Sequence, residues 1–223
     1  MPGKPKPRPV LTRDRILDAA LPLVDRRGLD YLTMRSLGEA LSVEAMSLYR
    51  YFPSKSDLLE GIADRVLAEI VFVEQNRSWR EDLGNAVRGL WRVLVAHPNT
   101  VPLFLATPTS IPGAQAGVEV MLRLLGRAGF GPGPALRIWR NLLAFVLGTA
   151  LMLRTSRSPA PGRTRPAKPD VARDTPLRTA ALKDSGVIDH EADFESGLEL
   201  LLGAIAANRA KPRSPRRPLT ESE

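Results

Sequence analysis

The chain has 223 residues, a length that suits one medium domain or a small domain joined to a larger one. It has no cysteine, which excludes disulfides and thiolate metal sites within the chain. The net charge of +8 is concentrated in three proline-rich segments, residues 1–10, 155–174 and 209–223, which each carry +3 and leave −1 for the rest. We expect the segments at 1–10 and 209–223 to be basic tails, either solvated and disordered or attracted to phosphates without reading a base sequence.

Hydropathy along the chain argues against export and against a membrane. The longest apolar run, Leu142 to Leu153, is shorter than the roughly 18–20 residues that span a bilayer. Residues 1–10 lack the apolar stretch of a signal peptide. We therefore expect a soluble, cytoplasmic protein without a membrane partner.

From Thr12 onward, apolar residues recur every three or four positions, and no segment alternates as a strand does, so the sequence predicts an all-α fold. Thr12 is a suitable cap for a first helix that Gly28 ends. A second helix begins at Thr33, residues 42–43 make a turn, and residues 44–51 form a third helix. Two short helices joined by a tight turn are typical of a helix-turn-helix.

A longer connecting helix is predicted to open at Ser54, because Ser54 and Asp57 have the spacing of a capping box, and to run through Ile70. Residues 155–175 contain four prolines and many charges, so they are predicted to be a flexible loop. Further helices are predicted at residues 79–96, 115–128, 134–154 and 189–210.

The segment from residue 13 to residue 62 resembles the DNA-binding domain of the TetR family of bacterial repressors. The resemblance rests on the run LTMRSLGEALSVEAMSLYRYFPSKSDLLEGIAD and on the helix before it. It implies a DNA-binding domain at residues 11–72, with the helix-turn-helix at about 33–51. Two positions depart from the family pattern: Ser42 occupies a turn position usually filled by glycine, and Gly38 one where alanine is usual.

The third helix is predicted to place its outer face in the major groove of DNA. The resemblance implies that Thr33, Tyr49, Tyr51 and Lys55 grip phosphates and that Arg35 reaches a base edge. Tyr51 could instead pack into the core, and Lys55 could be a solvated charge. The residues expected to contact DNA are Thr33, Arg35, Ala45, Met46, Ser47, Tyr49, Tyr51 and Lys55.

The rest of the chain, residues 73–208, resembles the C-terminal domain of the tetracycline-repressor branch of that family. The resemblance implies a helical domain that binds an effector and forms a homodimer through its last two long helices. Gly148, Gly197 and Gly203 are small residues on those two helices, where they allow close contact either between subunits or within one.

Tetracycline repressors hold a magnesium-chelated drug with histidines, but Phe104 and Ala144 stand where two of these belong. His97, before a proline, is expected to end a helix rather than to bind a ligand. We therefore predict no metal and no cofactor, and an apolar or aromatic effector, although each pocket residue could equally be ordinary core. The pocket is predicted to include Leu90, Phe104, Met121, Leu136, Trp139 and Leu143.

The function predicted from these features is that of a repressor that binds a palindromic operator as a homodimer and releases it when the effector binds. An activator, or a repressor controlled by a protein partner, fits the sequence as well. An all-helical enzyme fits poorly, because the chain has no nucleophile elbow, no phosphate-binding glycine loop and no histidine paired with a carboxylate at metal spacing.

Overall fold

A computed structural model describes residues 10–72, 78–106, 111–157, 176–177, 180–181 and 189–209. These residues form helices and turns, with no strand among them, so the predicted all-α fold is confirmed. The helices are α1 Arg13–Arg27, α2 Met34–Leu41, α3 Ala45–Leu48, α4 Lys55–Leu67, α5 Trp79–Ala96, α6 Val101–Ala106, α7 Pro112–Arg127, α8 Pro132–Arg157 and α9 His190–Arg209. Short 3-10 turns follow α1 and α5, at Leu29–Tyr31 and Pro98–Thr100.

Hydroxyl side chains cap the helices where the sequence placed them. The Thr12 hydroxyl accepts the backbone N–H of Arg15, and α1 ends at Gly28, whose φ of 81° suits a residue without a side chain. Ser54 and Asp57 form a reciprocal capping box at the start of α4. These local interactions set where α1 and α4 begin.

Two hydrophobic cores lie along the chain. Helices α1 to α4 enclose one around Ile16, Leu37, Leu48 and Phe52, all fully buried. Helices α5 to α9 enclose the other, in which the rings of Trp91 and Phe194 stack 4.4 Å apart. The cores meet where Val93, Leu103 and Ile111 of the second unit pack against the first. The N-terminal unit is therefore seated on the larger one by apolar contacts.

Several predicted boundaries were wrong. α4 ends at Leu67, three residues before Ile70. α6 was not predicted, and α7 begins at Pro112 rather than at residue 115. Residues 155–157 continue α8 instead of opening the predicted loop, whose residues 158–175 lie outside the described residues, as do 1–9 and 210–223 of the predicted tails.

Helix α8 also corrects the expectation that no segment has the length and composition of a membrane span. Its residues Pro132–Ser156 are long and apolar enough, with a mean hydropathy of 1.4. The core helix of a soluble protein has the same composition, and α8 lies against α5, α6, α7 and α9. Its Leu142, Val146 and Ala150 are buried in the second core. This packing accounts for the third of the apolar window that is buried.

Candidate nucleic-acid interface and apolar cavity

The turn between α2 and α3 brings the two helices unusually close. A Cβ added at Gly38 would lie 2.8 Å from the carbonyl oxygen of Val43 and 3.2 Å from the backbone nitrogen of Ala45. Ser42 has φ 56° and ψ 42°, a left-handed conformation that suits glycine better than serine. Both departures noted in the sequence therefore lie at the crossing, where Gly38 is needed and Ser42 is strained.

The outer face of α3 is open to solvent. Met46 is 72% exposed and Tyr49 is 42% exposed, whereas Leu48 between them is fully buried. Ser47 is partly exposed, and Ala45 is half buried against the first core. Large exposed side chains on one short helix mark a surface for binding a partner.

Cationic and hydroxyl groups flank this face. The side chain of Arg35 is 88% exposed and pairs with Glu39 at 3.1 Å, an exposed contact that adds little stability. Lys55, the first residue of α4, is exposed. The Thr33 hydroxyl accepts the backbone N–H of Ser36 at 3.0 Å, so it caps α2. The predicted DNA contacts other than Tyr51 are thus exposed or half buried residues of the N-terminal unit.

Tyr51 has a structural role instead of the predicted phosphate contact. Its hydroxyl donates a hydrogen bond to the carbonyl oxygen of Leu11 at 2.7 Å, and its ring packs on the first core. Arg13 in turn donates to the carbonyl oxygen of Tyr51. Because its hydroxyl proton is already used, we remove Tyr51 from the predicted contacts.

A second candidate site is an apolar cavity in the larger unit, enclosed by the end of α4 and by α5 to α8. Its empty space is about 740 Å³, which includes solvent at the open mouth. Five of the six predicted pocket residues line it: Leu90, Phe104, Met121, Trp139 and Leu143. Leu136 does not, although it lies on the same face of α8 about one turn before Trp139; it packs, half buried, against the core.

The sequence analysis missed the wall at the end of α4 and most of the wall that α7 and the residue before it contribute. Those residues are Leu67, Ile70, Phe72, Ile111, Gly113, Ala114, Gly117, Val118 and, on α8, Leu147. The four-residue spacing of Gly113 and Gly117 was a usable signal, because two small residues on one helix face leave room beside them. A Cβ at Gly117 would meet only the Phe72 ring, at 3.8 Å.

Among the described residues, no charged side chain lines the cavity, which matters for whether it could hold a metal ion. Phe104 lines the cavity, whereas Ala144 is exposed on α8. Across the described ranges, no group of three His, Asp or Glu side chains is placed to hold a metal ion. The cavity walls therefore do not suit a chelated metal.

One hydrogen bond connects the cavity to the N-terminal unit. Asp64 of α4 accepts the backbone N–H of Gly113 at 2.6 Å, in the first turn of α7. A Cβ at Gly113 would lie 2.7 Å from that carboxylate oxygen. The wall of the cavity thus directly contacts the last helix of the N-terminal unit.

The glycines of the last two helices divide into two groups. A Cβ at Gly197 would lie 2.7 Å from the Phe145 ring, so this glycine serves packing within the subunit. Gly148 and Gly203 have no atom within 4 Å of such a Cβ. Leu200 and Met152, also on these helices, are 73% and 65% exposed. The described part of the chain therefore leaves an apolar surface with small residues on α8 and α9.

Comparison with known proteins gives matches across nearly the whole chain. Residues 16–62 match the model of bacterial regulatory proteins of the tetR family, and residues 73–209 match the tetracyclin repressor-like C-terminal domain. An HTH-type transcriptional regulator of Saccharopolyspora erythraea is 33% identical, over 90% of this chain and 86% of its own. The Escherichia coli tetracycline repressor protein class A from transposon 1721 is 29% identical, over 92% and 94%.

A solved structure agrees with these matches. The Streptomyces coelicolor TetR family protein ActR, in complex with actinorhodin, superposes with a TM-score of 0.74 and 27% identity. The superposition covers 91% of this chain and all of that one. The similarity therefore includes both the helix-turn-helix and the helical domain that follows it.

Proposed function

The chain belongs to the tetR family of bacterial regulatory proteins and is a DNA-binding transcriptional regulator, and we propose that it is a homodimeric repressor released by an apolar or aromatic effector. It is not an enzyme, since its relatives are regulators. The observation that carries the proposal is the exposed outer face of α3, with Met46 and Tyr49, between the cations Arg35 and Lys55. Because its target is chromosomal DNA, we place the protein in the cytoplasm.

On this surface, Ala45, Met46 and Ser47 meet base edges in the major groove, and Tyr49 donates to a phosphate oxygen. Arg35 can give up its exposed contact with Glu39 for a guanine edge at little cost. Lys55 contacts the backbone of the duplex and adds affinity for every sequence alike.

A homodimer is needed because a palindrome presents two half-sites about 34–36 Å apart, or a multiple of this distance. The surface around Gly148, Gly203 and Leu200 supports self-association through α8 and α9, as small residues permit close approach of helices and exposed leucine supplies area to bury.

The apolar lining supports an uncharged or aromatic effector held without metal. The ActR complex holds a ligand of its own, actinorhodin, which supports a ligand-responsive role for the same domain here. The backbone N–H of Gly113 in the cavity wall is hydrogen-bonded to Asp64 of α4. An effector that displaces the first turn of α7 therefore also displaces α4 and, with it, the helix-turn-helix.

The test of the DNA proposal is selection of duplexes from a random pool by the purified full-length protein, followed by footprinting of the enriched sequence. We expect a palindrome protected on two successive major-groove faces. Enrichment of no sequence over bulk DNA would overturn the proposal.

The cavity is tested separately with the neutral fluorophore N-phenyl-1-naphthylamine. We expect saturable binding that is independent of added magnesium, and weaker binding of the selected duplex when the fluorophore is bound. A response that needs magnesium would contradict the proposed effector class.

A further inference from the structure

His97 lies at the junction of the two units and contacts both of them. It caps the end of α5, and its Nδ1 is 2.9 Å from Oδ2 of Asp25 in α1. Its Nε2 is 3.0 Å from Oε2 of Glu69, two residues beyond α4. The two longest helices of the DNA-binding unit therefore both reach one imidazole that belongs to the cavity unit.

These two contacts define the charge that the ring must carry. A neutral imidazole has one N–H donor, and its other nitrogen has a lone pair that a carboxylate repels. Two carboxylates facing the two nitrogens are satisfied together only by the imidazolium. Partial burial lowers the pKa of His97, but the hydrogen bonds and charges of Asp25 and Glu69 outweigh this and raise the pKa above its ordinary value of 6.5.

No other charged group among the described residues bonds to this ring. On α5, Arg88 is paired with Glu195 and Glu199, and Arg92 makes no hydrogen bond or ion pair with His97. Three arginines of α8, which packs on the turn after His97, make no hydrogen bond or ion pair with it; they are Arg137, Arg140 and Arg154. The described side chains of α6 carry no charge. Asp25 and Glu69 are thus the groups that govern the charge of His97.

Asp25 depends on this cation more than an exposed carboxylate would. Its second oxygen, Oδ1, is buried without a hydrogen-bond partner. A half-buried carboxylate with one buried, unbonded oxygen is costly to keep in place once it loses its cation. Asn99 supplies a link that does not titrate, since its Nδ2 donates to the carbonyl oxygens of Val24 and Asp25 at 3.2 and 3.0 Å. Loss of the proton therefore loosens the junction without separating the units.

We propose that His97 is a proton-dependent joint that fixes the DNA-binding unit on the cavity unit: the imidazolium ties the end of α1 and the end of α4 to the end of α5, and the neutral ring releases one of these ties. Because the folded state favours the protonated ring, the tie is complete below pH about 6.5 and is lost as the pH rises through the raised pKa of His97. Its contacts lie within the chain, so the joint forms without a bound operator and without a bound effector.

The first measurement is an NMR titration of the full-length protein. The chain has two histidines, so the variants H97Q and H190Q assign both Cε1–H signals. We expect the His97 signal to titrate above pH 6.5, and to titrate lower in Glu69→Gln, which keeps the size of the side chain and removes its charge. A His97 signal that titrates at or below 6.5, or that ignores Glu69→Gln, would overturn the proposal.

The second measurement is hydrogen exchange at pH 6 and pH 8.5, corrected for the intrinsic rate of exchange. In the unmodified chain, we expect the protection of residues 21–28 to fall about threefold or more at the higher pH, because the proton that ties this segment to α5 is lost. In H97Q this segment should be equally protected at both pH values. In H190Q, whose substitution is at the start of α9, protection should change with pH as it does in the unmodified chain. An identical pH response in H97Q would refute the joint.

Discussion

The helix-turn-helix and the cavity are built from the chain in opposite ways. The reading surface comes from residues 33–55, a continuous stretch in which each helix begins at a hydroxyl cap or directly after a tight turn. The cavity takes its walls from five helices and from residues as far apart as Leu67 and Leu147. Local periodicity is sufficient to predict the first, while the second depends on how distant helices pack.

This difference separates the effects that mutations should have. A substitution on the reading surface should change DNA binding and leave ligand binding in the cavity intact. A substitution in the cavity should change ligand binding and leave DNA binding intact. Only substitutions in the surface on α8 and α9 should affect operator binding from a distance, because this surface determines whether the helix-turn-helix units of two subunits bind the operator together.

The largest effect is expected from Gly203→Arg on α9. It would place two like charges and two long side chains where the subunits are proposed to meet, so the dimer should dissociate and operator affinity should fall about 100-fold or more through lost bivalency. Sedimentation and DNA binding measure both quantities. Gly126→Arg, at an equally open glycine on α7, is the matched control. A dimeric, operator-binding Gly203→Arg would place the interface elsewhere.

Next in size is the loss of base reading in Arg35→Ala. It should relax preference at one operator base by about 1–3 kcal/mol, whereas Lys55→Ala should weaken all sequences alike and reduce the salt dependence. Competition between the selected duplex and its single-base variants measures the difference. Unchanged operator affinity in both variants would argue against this placement of the helix-turn-helix.

A smaller effect is expected from Gly117→Leu in the cavity wall. The new side chain would fill space beside Phe72, so affinity for N-phenyl-1-naphthylamine should fall about tenfold, or ~1.4 kcal/mol, with operator affinity unchanged. Fluorescence titration gives the first value and the selected duplex the second. Gly126→Leu, outside the cavity, should leave the fluorophore affinity and the operator affinity unchanged. If Gly117→Leu binds the fluorophore normally, the fluorophore occupies another site.

The smallest effect tests the corrected role of Tyr51. Tyr51→Phe removes the hydrogen bond to Leu11 and should cost about 0.5–1.5 kcal/mol of unfolding free energy, measured by chemical denaturation, with little change in operator affinity. Tyr49→Phe should lower operator affinity and leave the unfolding free energy nearly unchanged, because the Tyr49 ring is exposed on α3. Should Tyr51→Phe lose operator affinity at full stability, the original phosphate assignment would be restored.

Much of the fold could be predicted because residues close in sequence determine where helices begin and end. The caps at Thr12 and Ser54 and the stop at Gly28 depend on residues within four positions of each other. Helix α6 was missed because its six residues are too short to show a period and contain Pro102. Its place against α4 and α8 makes it helical.

Within the sites, residue type alone could not separate packing from binding. Five predicted pocket residues line the cavity and Leu136 does not, although all six are large, apolar and on helices. The face of the helix does not make the distinction, since Leu136, Trp139 and Leu143 share one face of α8; it is the position along the helix, because Leu136 lies about one turn nearer its N-terminus and outside the cavity. The same uncertainty attached to Tyr51, until its hydroxyl was found bonded to Leu11.

The sequence by itself determined the helical class, the two-part organisation and the helix-turn-helix segment within residues 33–55 that we propose contacts DNA, because caps, turns and amphipathic periods act over a few residues. Only the tertiary structure decided which apolar side chains surround empty space, which glycines face outward, and that His97 meets Asp25 and Glu69. Those residues are 72 and 28 positions from His97 in sequence, and only the packing of helices brings them together.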